Sequence, residues 1–213
     1  MFQPLDYNPP SDVGIKENIH PNEDWTRGLR KYKTSNHNPE WVYSYVVDEN
    51  NRPFATVVYD RFPKGFVHLL VLPMTIRAEK PSHFSKYDLQ DLKKIHKLAY
   101  DIADDLQARY DLPPFYVGYH ALPSMADLHI HIVSGDLASQ YMKRREHYTS
   151  FTNDAYFLTP EKVEFDIQKY GKVMIQPQST LKNILRTAPL IHGDFHFKRF
   201  RELKRHLNQC AMY

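Results

Sequence analysis

The stretch Leu128-His129-Ile130-His131-Ile132-Val133 alternates aliphatic and imidazole side chains, and a strand sends alternate residues to opposite faces of its sheet. Leu128, Ile130 and Ile132 therefore belong to a core, while His129 and His131 share the other face as neighbours. Alone, such a pair admits three readings: a core feature, a metal-binding pair, or a catalytic pair.

Directly upstream, Tyr119-His120-Ala121-Leu122-Pro123-Ser124-Met125-Ala126-Asp127 brings a third histidine and a hydroxyl close to the pair. A phosphoryl-transfer site wants these groups. Histidine is a nucleophile at neutral pH without losing a proton, a second histidine can orient it, and a third can protonate a leaving oxygen. Ser124 and nearby backbone N–H groups can hold the non-bridging phosphate oxygens. Such chemistry needs no metal, and no second cluster supplies obvious carboxylate ligands for one.

Further outward, Trp41 to Val47, Phe54 to Tyr59 and Val67 to Leu72 are rich in β-branched and aromatic residues and read as an antiparallel meander. From Lys86 to Tyr110, Leu89, Leu92, Ile95, His96, Ala99, Ile102, Ala103 and Leu106 recur at helical spacing with no Pro or Gly, which predicts one long helix. Asp111-Leu112-Pro113-Pro114 ends it, and Phe115 to His120 and Leu128 to Ser134 supply two more strands. The expected core is an α+β domain of about five strands and one covering helix. A short helix is expected over Trp25 to Lys33, a loop-rich stretch past Gly135 to about Tyr170, and a connecting segment from Leu181 to Leu190. Near the end, Phe200, Leu203 and Leu207 form a helical stripe too short to stand without packing or a metal.

With 213 residues, 42% of them hydrophobic, and only 7 Gly, the chain can bury one sizeable core and lacks the composition of a disordered protein. The single cysteine, Cys210, cannot form an internal disulfide, so an intracellular home is expected. No apolar run approaches membrane-span length and residues 1 to 24 lack a secretory layout. Those residues read as a flexible leader too short for a forkhead-associated domain, so recruitment through phosphopeptides is not expected. Basic clusters at Lys143-Arg144-Arg145 and at Lys198, Arg199, Arg201, Lys204 and Arg205 suit either a polyanionic partner or a solvated face.

Taken together, Asp60-Arg61-Phe62-Pro63-Lys64 with His68-Leu69-Leu70, Gly118 to Met125, Leu128 to His131, and Lys143 to His147 with Tyr148, Ser150 and Phe151 resemble the histidine-triad (HIT) hydrolases. The nearest branch is that of aprataxins, which act on adenylated DNA ends. The resemblance implies a HIT-type sheet and helix over residues 25 to 155, a linker over 156 to 185, and a degenerate zinc-finger-like helical unit over 186 to 213. It implies His129 as the nucleophile that takes the adenylyl group, His131 as a phosphate binder that tunes it, and His120 as the group that protonates the leaving 5′-phosphate. Ser124 would bind phosphate, and Asp60, Phe62, Lys64 and His68, with Leu29, Tyr32 and Lys33, would line the nucleotide pocket. Lys143, Arg144 and His147 would meet DNA phosphates, as would Lys198, Arg199 and Lys204 of the tail. Asp127 stands where the fuller triad has its first histidine, and two roles are open to it: orienting an imidazole, or turning the chain into the strand.

The C-terminal unit departs further. In the family it is a zinc finger with two cysteines three apart, followed by a helix bearing a histidine and a fourth ligand. Here His206 and Cys210 match the helical half, while Pro189 and His192 stand at the cysteine places. One structural Zn²⁺ on His192, His206 and Cys210, with His196 as a stand-in, is one reading; a finger that lost its metal and kept its basic helix is the other. The expected function is removal of AMP from 5′-adenylated DNA ends through a covalent histidine–AMP intermediate, by a monomer with no cofactor for catalysis, in the nucleus alone or in nucleus and cytoplasm. A general hydrolase of adenosine phosphoramidates or dinucleoside polyphosphates, and a non-catalytic DNA-end-binding module, are the alternatives.

Overall fold

The computed structural model describes residues 29–33 and 39–211, so the leader over 1 to 24 lies outside the described residues. Of the helix expected over Trp25 to Lys33, only a 3-10 turn at Arg30–Lys33 falls within them. Strands β1 (Val42–Val47), β2 (Pro53–Tyr59) and β3 (His68–Pro73) form the meander. Helix α1 (Leu89–Tyr110) follows, then β4 (Phe115–His120) and β5 (Ile130–Ser134). A sixth strand, β6 (Phe157–Leu158), completes one antiparallel sheet in the order β1-β2-β3-β5-β4-β6, one strand more than expected.

Local chemistry sets the boundaries. Helix α1 starts at Leu89 and not at Lys86 because the Asp88 carboxylate accepts from the Ser85 N–H and hydroxyl, both at 2.9 Å, which closes a turn before the helix begins. Asp111 ends it in a left-handed conformation with φ 51°, tolerated best by Asn, Asp and Gly. The alternation then sorts the two sheet faces. Val57, Leu69, Val71, Val117, Ile130 and Ile132 pack with Leu92, Ile95, Ile102 and Leu106 of α1 in the main core. His68, His120, His129 and His131 fall on the opposite face, with Val58, Leu70 and Leu72 beside them.

Of the stretch expected to be loop-rich, 135–144 is the longest run without a helix or strand, and 156–185 is not a linker; from Arg145 on, the chain is built largely of regular elements. Residues 145–170 hold α2 (Arg145–Thr152), β6 and α3 (Pro160–Tyr170), and α4 (Gln178–Thr187) follows. Thr159 caps α3 by accepting from the Lys162 N–H, Pro160 is its first residue, and Gly171 at φ 75° stops it. Val163, Ile167 and Leu181 from these helices enter the main core, which ties the segment to the domain.

The chain ends in a hairpin, β7 (Leu190–His192) and β8 (Phe195–Phe197), and helix α5 (Phe200–Cys210). Leu190, Leu203 and Leu207 pack with Val133, Leu137, Met142, Tyr148 and Phe151. Packing therefore supplies what a unit this small lacks by itself. No helix among the described residues is long and apolar enough to cross a membrane.

Candidate active site

Four imidazoles meet on the sheet face away from α1. Their ring centroids lie 4.8 Å apart for His129 and His131, 4.3 Å for His120 and His131, and 5.2 Å for His68 and His131. The registers explain it: His131 pairs with Leu70 on β3 and with Gly118 on β4, which sets His68 and His120 on its diagonals. Gly118 is required there, since a Cβ would stand 2.5 Å from the Leu158 carbonyl and 2.9 Å from the Phe157 ring. The Phe151 ring on α2 covers the cluster, 4.8 Å from His120, 5.3 Å from His131 and 5.5 Å from His68. The reading of single residues gives Phe151 no role; its place in the Lys143-to-Phe151 stretch is the only sequence signal for it.

The hydrogen bonds fix the tautomers. The Asp127 carbonyl can only accept, so at 2.9 Å the His129 Nδ1 carries the proton and Nε2 keeps its lone pair. The Lys64 backbone N–H donates to His68 Nδ1 at 3.1 Å, so His68 Nε2 is protonated and donates to His131 Nδ1 at 2.9 Å. His131 Nε2 then bears a proton and, like His120 Nε2, is buried without a partner. One backbone amide thus sets a chain that ends in a free donor, the group a phosphate oxygen needs. Asp60, His68 and His131 also place three potential ligand atoms within 4.8 Å of one another. With a proton on His68 Nε2, however, that group reads as a hydrogen-bonded relay.

Burial keeps the cluster uncharged. Desolvation, reinforced by its neighbours, pushes His120 down to about 3, and burial pushes His68 down to about 4 against the pull of Asp60. Burial lowers His129 and takes His131 well below the ordinary histidine value. Burial works to raise the Asp60 carboxyl, but the net direction is down, drawn by its His68 neighbour, the Lys64 ammonium and the Phe62 N–H. Lys64 is half-buried, its ammonium donates to the Phe62 carbonyl, and its charge bears on His68, His120, His131 and His147.

Asp127 takes both open roles, though not as expected. It turns the chain at φ 69° and orients His129 through its carbonyl, while its carboxylate faces Arg30 and Lys33 at 3.7 and 3.9 Å. Leu29 packs on Val58, Leu70 and Leu72, with Tyr32 and Met125 against them, so the Leu29, Tyr32 and Lys33 segment does lie beside the histidine face. Ser124 is exposed in the loop from β4 to β5. Phe62 meets Tyr141 edge-on at 5.6 Å, which joins the Asp60-to-Lys64 loop to the segment bearing exposed Lys143 and Arg144. His147 donates from Nδ1 to the Tyr141 carbonyl at 3.1 Å, and burial pushes it down to about 4.

Lys204 is a correction. Its ammonium donates to the Ala138 and Ser139 carbonyls at 2.6 and 2.7 Å, so it pins α5 to the domain and is not a free cation for DNA. Arg145 is occupied similarly on the Ala188 carbonyl, at 2.7 Å, whereas Lys198 and Arg199 are exposed. Lys204→Met is expected to cost about 1–3 kcal/mol of stability, the usual worth of charge-assisted bonds to buried carbonyls, measured by denaturant unfolding.

At the C-terminal unit, His192 from β7 and His206 and Cys210 from α5 bring their donor atoms within 4.8 Å of one another, with Cys210 Sγ 3.5 Å from His206 Nε2. Zinc bonds of about 2.0–2.3 Å at tetrahedral angles set ligand atoms roughly 3.3–3.8 Å apart, so this donor set fits a zinc ion with small side-chain shifts. His196 is no stand-in: it pairs with Ile191 on the hairpin, one position out of phase with His192 and Phe195, and so lies on the other hairpin face.

The antiparallel sheet, the histidine face and the covering helix together define a histidine-triad fold. The profile of the family described as scavenger mRNA decapping enzyme C-term binding matches residues 33–147, just over half of the chain, and the chain belongs to that family. Within the histidine-triad superfamily it is aprataxin-like. It is 36% identical over 157 residues to an aprataxin-like protein of Drosophila melanogaster, covering 72% of this chain and 23% of that protein. To aprataxin of Ciona intestinalis it is 30% identical over 188 residues, covering 87% of this chain and 46% of that one. The chain thus spans less than half the length of these relatives. The crystal structure of the aprataxin ortholog Hnt3 in complex with DNA superposes with a TM-score of 0.63 at 24% identity, over 89% of this chain and 96% of that chain, which establishes the shared fold.

Proposed function

We propose that the protein removes AMP from 5′-adenylated DNA ends, the products of abortive ligation, through a covalent adduct on His129. The observation that carries this reading is the pairing of a lone pair on His129 Nε2 with a free donor on His131 Nε2, 4.8 Å apart by ring centroid. In the 5′-5′ pyrophosphate, His129 Nε2 attacks the AMP phosphorus and forms a P–N bond. The bond to the bridging oxygen breaks and the DNA 5′-phosphate leaves. His131 Nε2–H donates to a non-bridging oxygen. The entering pyrophosphate raises the affinity of His120 for a proton, which that residue passes to the leaving oxygen. Water then attacks the same phosphorus, giving a proton to His120; the P–N bond breaks with its electron pair returning to His129 Nε2, and AMP and free His129 are released.

The exposed cations Lys143, Arg144, Lys198 and Arg199 suit DNA phosphates of any sequence. The similarity to aprataxins and to a DNA-bound Hnt3 supports DNA over a small nucleotide as substrate. This reading puts the work in the nucleus, by a monomer. Replacing Lys143 and Arg144 together by alanine is expected to lower the salt dependence of DNA binding by about one to two units of log–log slope. The function is tested by comparing turnover of 5′-adenylated nicked DNA with that of a small AMP ester. A clear preference for the DNA is expected; equal or better turnover of the small ester overturns the DNA reading in favour of a general nucleotide hydrolase.

A further inference from the structure

Helix α5 lies against the hairpin β7–β8, and the hairpin register decides what faces it. Leu190 pairs with Phe197 and His192 with Phe195, so these four side chains share one face, while Ile191 and His196 take the other. On the helix, His206 and Cys210 are one turn apart on one side. The rings of Phe195 and Phe197 lie 4.9 and 5.1 Å from His206, and His192 lies 5.2 Å from it. On the face that carries His192, the paired strand residues are otherwise Leu190, Phe195 and Phe197, which are hydrocarbon, and Pro189 has no donor to give. Among the described residues no fourth His, Cys, Asp or Glu joins the group.

We infer that this chain holds zinc through three side chains only, His192, His206 and Cys210, and leaves the fourth tetrahedral position open to water or an exchangeable anion. A closed structural site uses four protein ligands, and three plus an open position is the arrangement of a site that exchanges its fourth ligand. Two neutral imidazoles and one thiolate leave Zn²⁺ with a net charge of +1, so the open position favours an anionic oxygen or a similar monodentate anion.

The fold does not depend on the ion. Leu190, Leu203 and Leu207 are each at most 2% exposed. The Tyr148 hydroxyl donates to the Ile191 carbonyl at 2.6 Å, and Arg145 and Lys204 anchor the unit on either side. A unit docked in this way keeps its shape with a three-ligand site, where a free-standing finger would unfold.

The test uses the full chain loaded with Co²⁺ in place of Zn²⁺. One equivalent is expected, with a sulfur-to-metal charge-transfer band and tetrahedral visible bands that shift on titration with azide. X-ray absorption of the zinc form should fit one sulfur, two imidazole nitrogens and one light non-imidazole atom. Cys210→Ser should remove the charge-transfer band and His196→Ala should leave it unchanged. Chelation with EDTA should move the thermal midpoint only slightly. The inference is overturned by a stoichiometry near zero, by a fourth protein ligand in the absorption fit, or by a cobalt spectrum that does not respond to azide.

Discussion

His129→Ala is expected to reduce release of AMP from 5′-adenylated nicked DNA by about 10⁴-fold or more, with DNA affinity nearly unchanged. Loss of a nucleophile removes the covalent route, and the residual rate comes from positioning and phosphate binding alone. The Nδ1–H to Asp127 carbonyl bond matters here, because it leaves Nε2 as the only attacking atom. The Lys64-to-His68-to-His131 hydrogen-bond chain that leaves a donor on His131 for the proposed phosphate contact is untouched by the substitution, so binding is expected to survive. Single-turnover kinetics with a filter-binding control separates the two effects; a variant with more than about a tenth of wild-type turnover would assign the attack elsewhere.

Acid is expected to unfold the protein well before its carboxylates titrate. His68 and His120 titrate near 4 and 3 in the folded chain and near 6.5 when unfolded. Between those values the unfolded state binds more protons than the native one, so stability is full above pH 6.5 and falls as the pH drops. Each buried histidine contributes up to about 1.4 kcal/mol per pH unit, and about half that where the unfolded imidazole is half protonated, so this pair alone removes on the order of 3 kcal/mol between pH 6.5 and 5. His129 and His131, lowered in the same direction, add to it. That is a large share of a typical folding free energy of about 5–15 kcal/mol. Thermal melts from pH 7.5 to 5 should show a steep drop in midpoint, and His120→Gln should flatten it; a midpoint independent of pH would mean the cluster carries charge in the native state.

The parts legible in the sequence were those governed by one strong period. The alternation at 128–133 placed the histidines on one face, and the run from Leu89 to Leu106 gave α1 because a buried stripe from Leu92 to Leu106 repeats along about four turns. Helix α2 was not legible, since eight residues rich in Ser, Thr and Tyr carry no period of their own and are held by packing around Tyr148 and Phe151. The signals for α3 were present in Thr159-Pro160 and Gly171, with Val163 and Ile167 one turn apart, yet they sit in a stretch of mixed polarity. Lys204 shows a different limit. Its charge is visible in sequence, but two carbonyls from residues 138 and 139 claim it only in three dimensions. The cluster's fourth imidazole, His68, was legible as a pocket residue, whereas its place in the relay from Lys64 to His131 depends on the β3–β5 register.

The central claim is covalent attack by His129, and rapid acid-free quenching of a reaction on 5′-adenylated nicked DNA, followed by peptide mass spectrometry, tests it most directly. The account predicts an adenylyl group on the peptide containing His129, transient in the wild type, with DNA released as the 5′-phosphate. Turnover of the same DNA without any such adduct, or with the adenylyl group on His120 or His131, would contradict it.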